Sequence, residues 1–317
     1  MRKLVITGAL GHIGSRLIHN LRPSEFDEVL MVDDLSTQRY SSLFRLPDGV
    51  PYRFVEADIT SADLGALFRE ASVVIHLAAI ANAAGSFDIQ EQVEQVNYEG
   101  AVRVAHACIA ASAKMIFLST TSIYGTQEET VDEDCSPEQL KPQSPYAKSK
   151  MRAEQELQAL GDKRGLRYVT CRFGTIYGTS PGMRFHTAVN KFVWQASVGQ
   201  PITVWRTALH QKRPYLELGD AVRALRFIIA NDRFDNRIYN VVTDNVTVND
   251  IVQTIREFVP DLRIEFVDSR IMNQLSYTVL VDKFRSLGFG FEGELREGIR
   301  ETVMLLRGAR AAARSAA

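Results

Sequence analysis

The sequence predicts an α/β protein built on a doubly wound parallel sheet with a smaller α/β substrate lobe. Short apolar runs rich in β-branched residues recur through the first half of the chain, and amphipathic stretches separate them. Apolar runs without polar alternation are typical of strands buried on both faces of a parallel sheet. Strict alternation of strand and helix indicates that helices cover both faces of that sheet. The 317 residues suffice for one large domain or for two lobes.

The predicted elements of the first half follow one another in short periods. We expect strands at 3–7, 28–33, 52–57, 72–78, 114–119 and 167–173. Helices are expected between them at 12–21, 62–70, 92–111 and 144–160.

The rhythm changes after Phe173, where three glycines and a proline predict a loop over 174–186. The later elements are a helix at 187–198, a strand at 202–205, a polar connection at 207–214, a helix at 220–230, a strand at 238–242, and helices at 248–258 and 294–306. We expect a sheet domain over 1–173, joined by 216–242, a substrate lobe over 174–215 and 243–307, and a flexible low-complexity tail over 308–317.

Composition excludes several classes of partner. The net charge of -1, from 37 basic and 38 acidic residues, gives no reason to expect a nucleic-acid or membrane-surface partner. The three cysteines share no metal-ligand spacing, so we expect free thiols and no metal site. The N-terminal apolar run Leu4–Ile6 is too short for a signal peptide, and no stretch reaches the length of a membrane span. We therefore expect a cytoplasmic protein.

A glycine-rich motif, Thr7–Gly14, lies where the first strand turns into the first helix. Glycines let the backbone turn sharply and approach a pyrophosphate, and the helix start offers free N–H groups. A glycine triplet alone is weak evidence, but its place directly after strand one indicates a dinucleotide-binding Rossmann fold.

Two acidic residues follow the next strands. Asp33 ends the second strand, where a carboxylate accepts hydrogen bonds from the adenosine ribose and repels a 2′-phosphate, so NAD is favoured over NADP. An acidic turn residue is the alternative, because Asp34 is adjacent. Asp58, with Ile59, follows the third strand and either contacts the adenine or caps a helix.

Tyr146 and Lys150 open a predicted helix four residues apart, so both project from one face. A phenol of pKa near 10 must act as a base near pH 7. A lysine ammonium at about 5 Å and an effective dielectric of about 20 contributes roughly 3 kcal/mol, a little over two pKa units. The pair is therefore a candidate catalytic base with its cationic partner.

Hydroxyl side chains close the fifth strand at Ser119, Thr120, Thr121 and Ser122. Ligands bind at the carboxyl ends of strands in such sheets. One hydroxyl can therefore bind a sugar and pass a proton to Tyr146, while others only satisfy the backbone of the turn.

Together these motifs resemble the extended short-chain dehydrogenase/reductase family, in its nucleotide-sugar epimerase and dehydratase branch. The matching segments cover nearly the whole chain and are 7–14, 32–36, 56–59, 74–79, Asn97, 119–125, 145–150, 172–178 and 295–303.

The resemblance implies roles for individual residues. Cofactor contacts are implied for Gly8, Gly11, His12, Ile13, Gly14, Asp33, Asp58, Ile59, Leu77, Ala78, Ala79, Asn97, Tyr146 and Lys150. Tyr146 would be the base, Lys150 its partner on the nicotinamide ribose, and Thr120 the hydroxyl at the reacting centre. Substrate contacts are implied for Thr120, Thr121, Ser122, Asn190 and Arg213. A helix-face asparagine at Asn190 and a surface charge at Arg213 are the alternatives.

Two departures from the family bear on the reaction. Dehydratases of the family place an acidic residue or pair after the catalytic threonine, whereas this chain has Thr121 and Ser122. Gly174 and Pro214-Tyr215 replace residues that relatives use near the diphosphate, which leaves the nucleotide open.

The favoured interpretation is an NAD-dependent nucleotide-sugar epimerase, acting at C4 of a hexose through a 4-keto intermediate. A keto-sugar reductase or alcohol dehydrogenase and a non-catalytic NAD sensor are the alternatives. By the same resemblance, we expect a homodimer formed by the helices at 92–111 and 144–160.

Overall fold

The computed structural model describes residues 2–125, 129–267 and 276–309. Its strands are β1 (Lys3–Thr7), β2 (Glu28–Asp33), β3 (Tyr52–Glu56), β4 (Ala71–His76), β5 (Lys114–Thr120), β6 (Thr130–Val131), β7 (Tyr168–Phe173), β8 (Thr175–Tyr177), β9 (Ile202–Trp205), β10 (Lys212–Glu217), β11 (Ile238–Val241), β12 (Asp244–Thr247), β13 (Ile264–Val267) and β14 (Thr278–Val279). Its α-helices are α1 (His12–Ile18), α2 (Leu64–Leu67), α3 (Gln90–Glu94), α4 (Gly100–Ala111), α5 (Pro145–Arg164), α6 (Ala188–Ser197), α7 (Leu218–Ala230), α8 (Val248–Phe258), α9 (Asp282–Ser286) and α10 (Leu295–Leu306).

Seven parallel strands form the main sheet, in the order β11-β7-β5-β4-β1-β2-β3. Strand β1 lies between β4 and β2, with Ile6 opposite Ile75 on one side and Met31 on the other. The chain runs outward from β1 to β3 and then crosses to β4 on the other side of β1. This reversal opens a crevice at the carboxyl ends of β1 and β4. The predicted doubly wound parallel sheet is confirmed.

The strands are apolar on both sides because helices cover both faces. Leu17 of α1 and Leu225 of α7 pack in the core cluster on one face, and Val104 of α4 and Leu157 of α5 pack in the cluster on the other. Burying one such side chain contributes about 1.5–3 kcal/mol. These two layers hold the carboxyl edge of the sheet rigid beneath the crevice.

The smaller lobe has its own core between α6, α8 and α10, where Phe192, Ile251 and Ile299 are buried together. Beside it, β10 pairs in parallel with β8 and antiparallel with β12. The loop predicted over 174–186 therefore contains a strand, β8, and the polar connection predicted over 207–214 contains the start of β10. Both predictions were wrong at these points. Glycine and proline are typical of loops, but pairing with distant segments stabilises strands there.

Other elements differ in length. The helix predicted over 62–70 is reduced to α2, because Asp63 caps it by accepting a hydrogen bond from Ala66 N (3.0 Å) and Glu70 adopts a positive φ of 62°. The helix predicted over 12–21 ends at Ile18. The short strands β6, β12, β13 and β14 were not predicted, because two to four residues show no periodicity. Most of the predicted tail, residues 310–317, lies outside the described residues.

Candidate active site

Two adjoining cavities, of about 140 and 160 Å³, form one cleft at the carboxyl edge of the sheet. Gly8, Gly11, Arg39, Leu77 and Ala79 line both cavities. The cleft is also lined by most of the predicted site residues, namely His12, Ile13, Gly14, Thr120, Tyr146 and Lys150 in the inner cavity and Asp33, Asp58, Ile59 and Ala78 in the outer one. One cleft thus brings together residues from the carboxyl ends of five strands, β1 to β5.

The glycine turn between β1 and α1 is tightly packed against its surroundings. Gly8 has a φ of +67°, and a Cβ there would lie 2.5 Å from Ala78 N. A Cβ on Gly14 would lie 2.5 Å from Ala9 O. Gly8 and Gly11 border both cavities, and Gly14 borders the inner one. Glycine at these positions lets the backbone follow the wall of the cleft closely, as a bound pyrophosphate requires.

Asp33 lies at the end of β2 and faces the outer cavity. Its carboxylate accepts hydrogen bonds from Leu10 N (3.0 Å) and Leu35 N (3.1 Å). Burial raises the pKa of Asp33, and these two N–H groups and the nearby Arg39 oppose that rise. The carboxylate is therefore held in one position at the cavity that suits an adenosine ribose. Asp34 also lines the outer cavity, but it is exposed and its carboxylate accepts hydrogen bonds from Ser36 N (3.0 Å) and Ser36 Oγ (2.7 Å) in its own turn.

Asp58 does not cap a helix. Its carboxylate accepts hydrogen bonds from Thr60 N and Thr60 Oγ1, both at 2.8 Å, and the cap of α2 is Asp63. The alternative interpretation of Asp58 as a helix cap is therefore wrong, while its place in the outer cavity is compatible with an adenine contact.

Asn97 lies outside the cleft but shapes its wall. It lies in a π-helical turn, Gln95–Glu99, which joins α3 to α4. Its buried amide accepts a hydrogen bond from Ile80 N (2.8 Å) and donates one to Ile80 O (3.0 Å). Ile80 belongs to the segment that follows β4 and lines the outer cavity. The wide π-helical turn thus places the Asn97 amide against the Ile80 backbone at the wall of the cleft. Asn97 was expected to shape the backbone beside the cofactor, and this position is consistent with that role.

The start of α5 positions Tyr146 and Lys150. Ser144 caps the helix by accepting a hydrogen bond from Ala147 N (3.2 Å), and Tyr146 N donates to Ser86 Oγ (3.3 Å). The Thr120 and Tyr146 side chains both line the inner cavity, and the Thr120 hydroxyl acts to lower the pKa of the Tyr146 phenol. Thr120 Oγ1 already accepts from Ser122 N (3.1 Å), so its own proton is free for the phenol oxygen.

Burial shifts the pKa values of both Tyr146 and Lys150. Burial raises the pKa of Tyr146, and Arg184 and the Thr120 hydroxyl are the groups that oppose the rise. Lys150 is buried, with its ammonium 4.7 Å from the Phe117 ring centroid, and burial lowers its pKa to about 7. Burial therefore opposes the positive charge through which Lys150, together with the nicotinamide ring, is expected to lower the phenol pKa, and this role of Lys150 stays a prediction.

Sequence reasoning missed Arg39 and Arg184, which both line the inner cavity. Burial lowers the pKa of each guanidinium, and within the described part of the chain Arg184 Nε is buried without a hydrogen-bond partner. An unpaired buried donor of this kind is costly unless a ligand accepts from it. No local pattern distinguished these two arginines from the other basic residues.

Four predicted substrate contacts lie outside the lining of the cleft. Thr121 Oγ1 donates to Phe173 O (3.3 Å), and Ser122 enters the site only through its backbone N–H. The buried Asn190 amide binds Gly178 N (3.2 Å) and Arg184 O (3.1 Å). The Arg213 guanidinium lies 5.3 Å from the Tyr277 ring centroid. The structure therefore gives Thr121 and Asn190 internal hydrogen bonds, and contacts between these four residues and a substrate stay predictions.

The cysteines, the possible metal ligands and the length of the helices bear on other classes of site. All three cysteines are free. Across the described ranges, no group of three metal-binding side chains could hold a metal ion, and none of the helices there is both long and apolar enough to cross a membrane. Among the described residues that line the inner cavity, none is acidic.

Comparison with known proteins agrees with this geometry. Residues 4–241 match the model of a family described as "NAD dependent epimerase/dehydratase family". A relative from Bacillus subtilis, "Uncharacterized UDP-glucose epimerase YtcB", is 28% identical over 248 residues, which cover 75% of this chain and 76% of that protein. The solved structure "MoeE5 in complex with UDP-glucuronic acid and NAD" is 28% identical, with a TM-score of 0.84 over 97% of this chain and 99% of that one.

A longer relative from Arabidopsis thaliana is the "Trifunctional UDP-glucose 4,6-dehydratase/UDP-4-keto-6-deoxy-D-glucose 3,5-epimerase/UDP-4-keto-L-rhamnose-reductase RHM3". It is 27% identical over 314 residues, which cover 95% of this chain and 47% of that protein. The chain thus spans about half the length of this plant relative.

Proposed function

Because this chain belongs to the NAD-dependent epimerase/dehydratase family and has NAD as its cofactor, we propose that it is a C4 epimerase of nucleoside diphosphate sugars. The hydroxyls of Thr120 and Tyr146 carry the proposal, because both side chains line an inner cavity without a carboxylate among its described lining residues.

The order of the groups along the cleft supports NAD binding with its pyrophosphate at the glycine turn. The glycine turn would cradle the pyrophosphate, Asp33 would bind the adenosine ribose, and Lys150 would hold the nicotinamide ribose. Arg39 adds a positive charge between the two cavities, and burial lowers its pKa. When bound, oxidised NAD supplies a hydride acceptor and a positive charge beside the phenol.

Tyr146 would act as the base. Thr120 Oγ1 is oriented by Ser122 N, so it can accept a proton from a sugar hydroxyl and donate its own to the phenol oxygen. The same relay would return the proton when the keto-sugar is reduced on its other face. A redox-neutral cycle of this kind needs no acid besides the relay.

Dehydration is less well supported. Eliminating water needs a second acid or base beside the reacting carbon, and Thr121 and Ser122 occupy the positions where related dehydratases place acidic side chains. Thr121 is also turned away, toward Phe173 O. The lack of a carboxylate among the described residues of the inner cavity therefore favours epimerisation. A keto-sugar reductase with the same base is the second candidate.

Arg184 favours a sugar that carries a carboxylate. Its buried Nε lacks a partner among the described residues, and its guanidinium lies close enough to oppose the rise in the pKa of Tyr146. A carboxylate at C6 of a hexuronic acid adjoins the C4 hydroxyl that the base would attack. Structures of the similar MoeE5 hold UDP-glucuronic acid in one case and UDP-glucose in another, so the choice rests on Arg184.

The test is incubation of the purified protein with nucleotide-linked hexoses and hexuronic acids, with products analysed by NMR and NADH followed by absorbance. We expect a C4-epimeric hexuronic acid without net NADH. One cofactor consumed per product would assign the protein to the reductases, and a 4-keto-6-deoxy sugar would assign it to the dehydratases.

We also propose a homodimer formed by α4 and α5. Val102 of α4 and Met151 of α5 are apolar and remain partly exposed, and Arg152 stacks on the Tyr98 ring at 4.0 Å. Partly exposed apolar side chains on two neighbouring helices suit a four-helix contact between two copies.

A further inference from the structure

A segment of the smaller lobe, Thr179–Arg184, crosses onto the glycine turn of the main domain and is here called the strap. Ser180 Oγ lies 2.8 Å from His12 Nδ1, within hydrogen-bond distance. Gly182 N donates to Ser15 Oγ (2.9 Å). Residues about 170 positions apart are thus joined at the start of α1.

The strap also reaches the segment after β2. Ser41 Oγ donates to Pro181 O (3.2 Å), and the neighbouring Ser42 Oγ donates to Leu10 O (2.8 Å). The strap therefore joins the glycine turn, on the pyrophosphate side of the cleft, to the segment that leads to Arg39 and the outer cavity.

Gly182 allows the closest approach in this region. A Cβ there would lie 2.3 Å from Leu10 O and 2.8 Å from Gly11 O. The φ angle of Gly182 lies outside the left-handed region, so glycine is required here only because the two backbone oxygens are so close. Any larger residue at this position must push the strap away from the turn.

Both ends of the strap are anchored in the smaller lobe. The Asn190 amide accepts from Gly178 N and donates to Arg184 O, so one side chain joins the residue before the strap to its last residue. Arg184 itself lines the inner cavity. Displacement of the strap would therefore also move Arg184.

His12 is suited to hold the strap near neutral pH. Burial, with Arg184, Arg39, His186 and Arg16 nearby, lowers its pKa to about 3. The ring is thus neutral, and its second nitrogen, Nε2, lies 3.5 Å from Asn190 Nδ2.

We propose that the strap retains NAD, with Ser180 and Gly182 as positioning residues that set how fast the cofactor leaves. The cleft cannot open between the glycine turn and the smaller lobe without breaking the contacts of the strap. The inference rests on the proposed function for its purpose, because an epimerase that lost its cofactor in mid-cycle would strand a keto-sugar.

The experiment measures dissociation of isotopically labelled NAD from the loaded protein during a chase with unlabelled NAD. Gly182→Ala should raise the dissociation rate at least about tenfold, because the strap must shift. Ser180→Ala should raise it about threefold to tenfold, the range expected for one lost hydrogen bond. Because Ser180→Ala only removes a hydroxyl, it decides the question if Gly182→Ala does not fold.

Gly290→Ala is the matched control, because a Cβ at that exposed glycine meets nothing within 4 Å. Its dissociation rate should equal that of the wild type. Wild-type rates in folded Gly182→Ala and Ser180→Ala would overturn the proposal. No substrate is present, so this result is independent of whether the protein is an epimerase. If it is one, Gly182→Ala should also accumulate free NADH and keto-sugar during turnover.

Discussion

Arg172 of β7 binds Glu154 of α5 through two nitrogens, with Nε 3.0 Å from Oε1 and Nη2 2.7 Å from Oε2. Both side chains are buried, with side-chain exposures of 4% each, and Glu154 lies one helical turn after Lys150. The Arg172 guanidinium also lies 4.9 Å from the Tyr124 ring centroid. This pair anchors α5, which carries Tyr146 and Lys150, to the sheet.

Removing one partner of this pair should destabilise the protein strongly. Arg172→Met leaves a buried, unpaired carboxylate at Glu154, so we expect the free energy of unfolding to fall by about 3–5 kcal/mol in urea titrations. The double variant Glu154→Leu/Arg172→Met removes both charges and should recover most of that loss. A double variant no more stable than the single one would show that packing, and not charge, dominates here.

Replacement of Tyr146 by Phe should lower turnover at least about 10²-fold, the lower end of general acid–base contributions. Thr120→Ala should cost less, because water can replace part of the relay. Steady-state rates and NAD titrations of both variants check this. NAD affinity should be unchanged in Tyr146→Phe, and near-normal turnover would remove Tyr146 from the role of base.

Asp33 should determine the choice of cofactor. Its fixed carboxylate faces the outer cavity, where it would repel the 2′-phosphate of NADP. The wild type should therefore bind NAD more tightly than NADP, and Asp33→Ala should narrow the difference. Asp48→Ala is the control, because Asp48 is exposed and lines neither cavity. Tighter binding of NADP by the wild type would reject this role.

Buried His76 should make folding sensitive to acid. Burial, with Lys150 nearby, lowers its pKa from 6.5 to about 3, and its Nδ1 lies 2.8 Å from Thr7 Oγ1. The unfolded chain binds a proton below pH 6.5 that the folded chain does not, so stability is present above pH 6.5 and falls as the pH drops. Between pH 6.5 and 4.5 His76 alone should cost on the order of 2 kcal/mol.

Urea titrations of the wild type and His76→Gln at both pH values measure this contribution. The variant should lose less stability on acidification. Equal losses in the two proteins would show that His76 does not titrate in this range.

The dimer proposal predicts a molecular mass of twice the chain in light scattering at micromolar concentration. Val102→Glu, on α4, should shift the mass to that of a monomer, because it places a charge in the proposed interface. Phe266→Glu, at an exposed position in the smaller lobe, is the control. A wild-type monomer would contradict the proposal.

The sequence by itself determined the main sheet and most of the cofactor cleft. Four local patterns carried this information: the apolar runs, the glycine turn after β1, the acidic end of β2, and the spacing of Tyr146 and Lys150. The topology of the fold then brings the last three to one edge of the sheet. Each pattern can be recognised in the sequence because it is formed by residues only a few positions apart.

Only the tertiary structure decided which side chains face the cleft and which charged groups surround Tyr146. Arg184 and Ser180 lie in a segment that predicted only a loop, and Thr121 turns toward Phe173 although it adjoins Thr120. The pKa of Lys150 depends on burial under the folded sheet. These properties come from contacts between segments that are distant in the chain, and local sequence patterns do not predict such contacts.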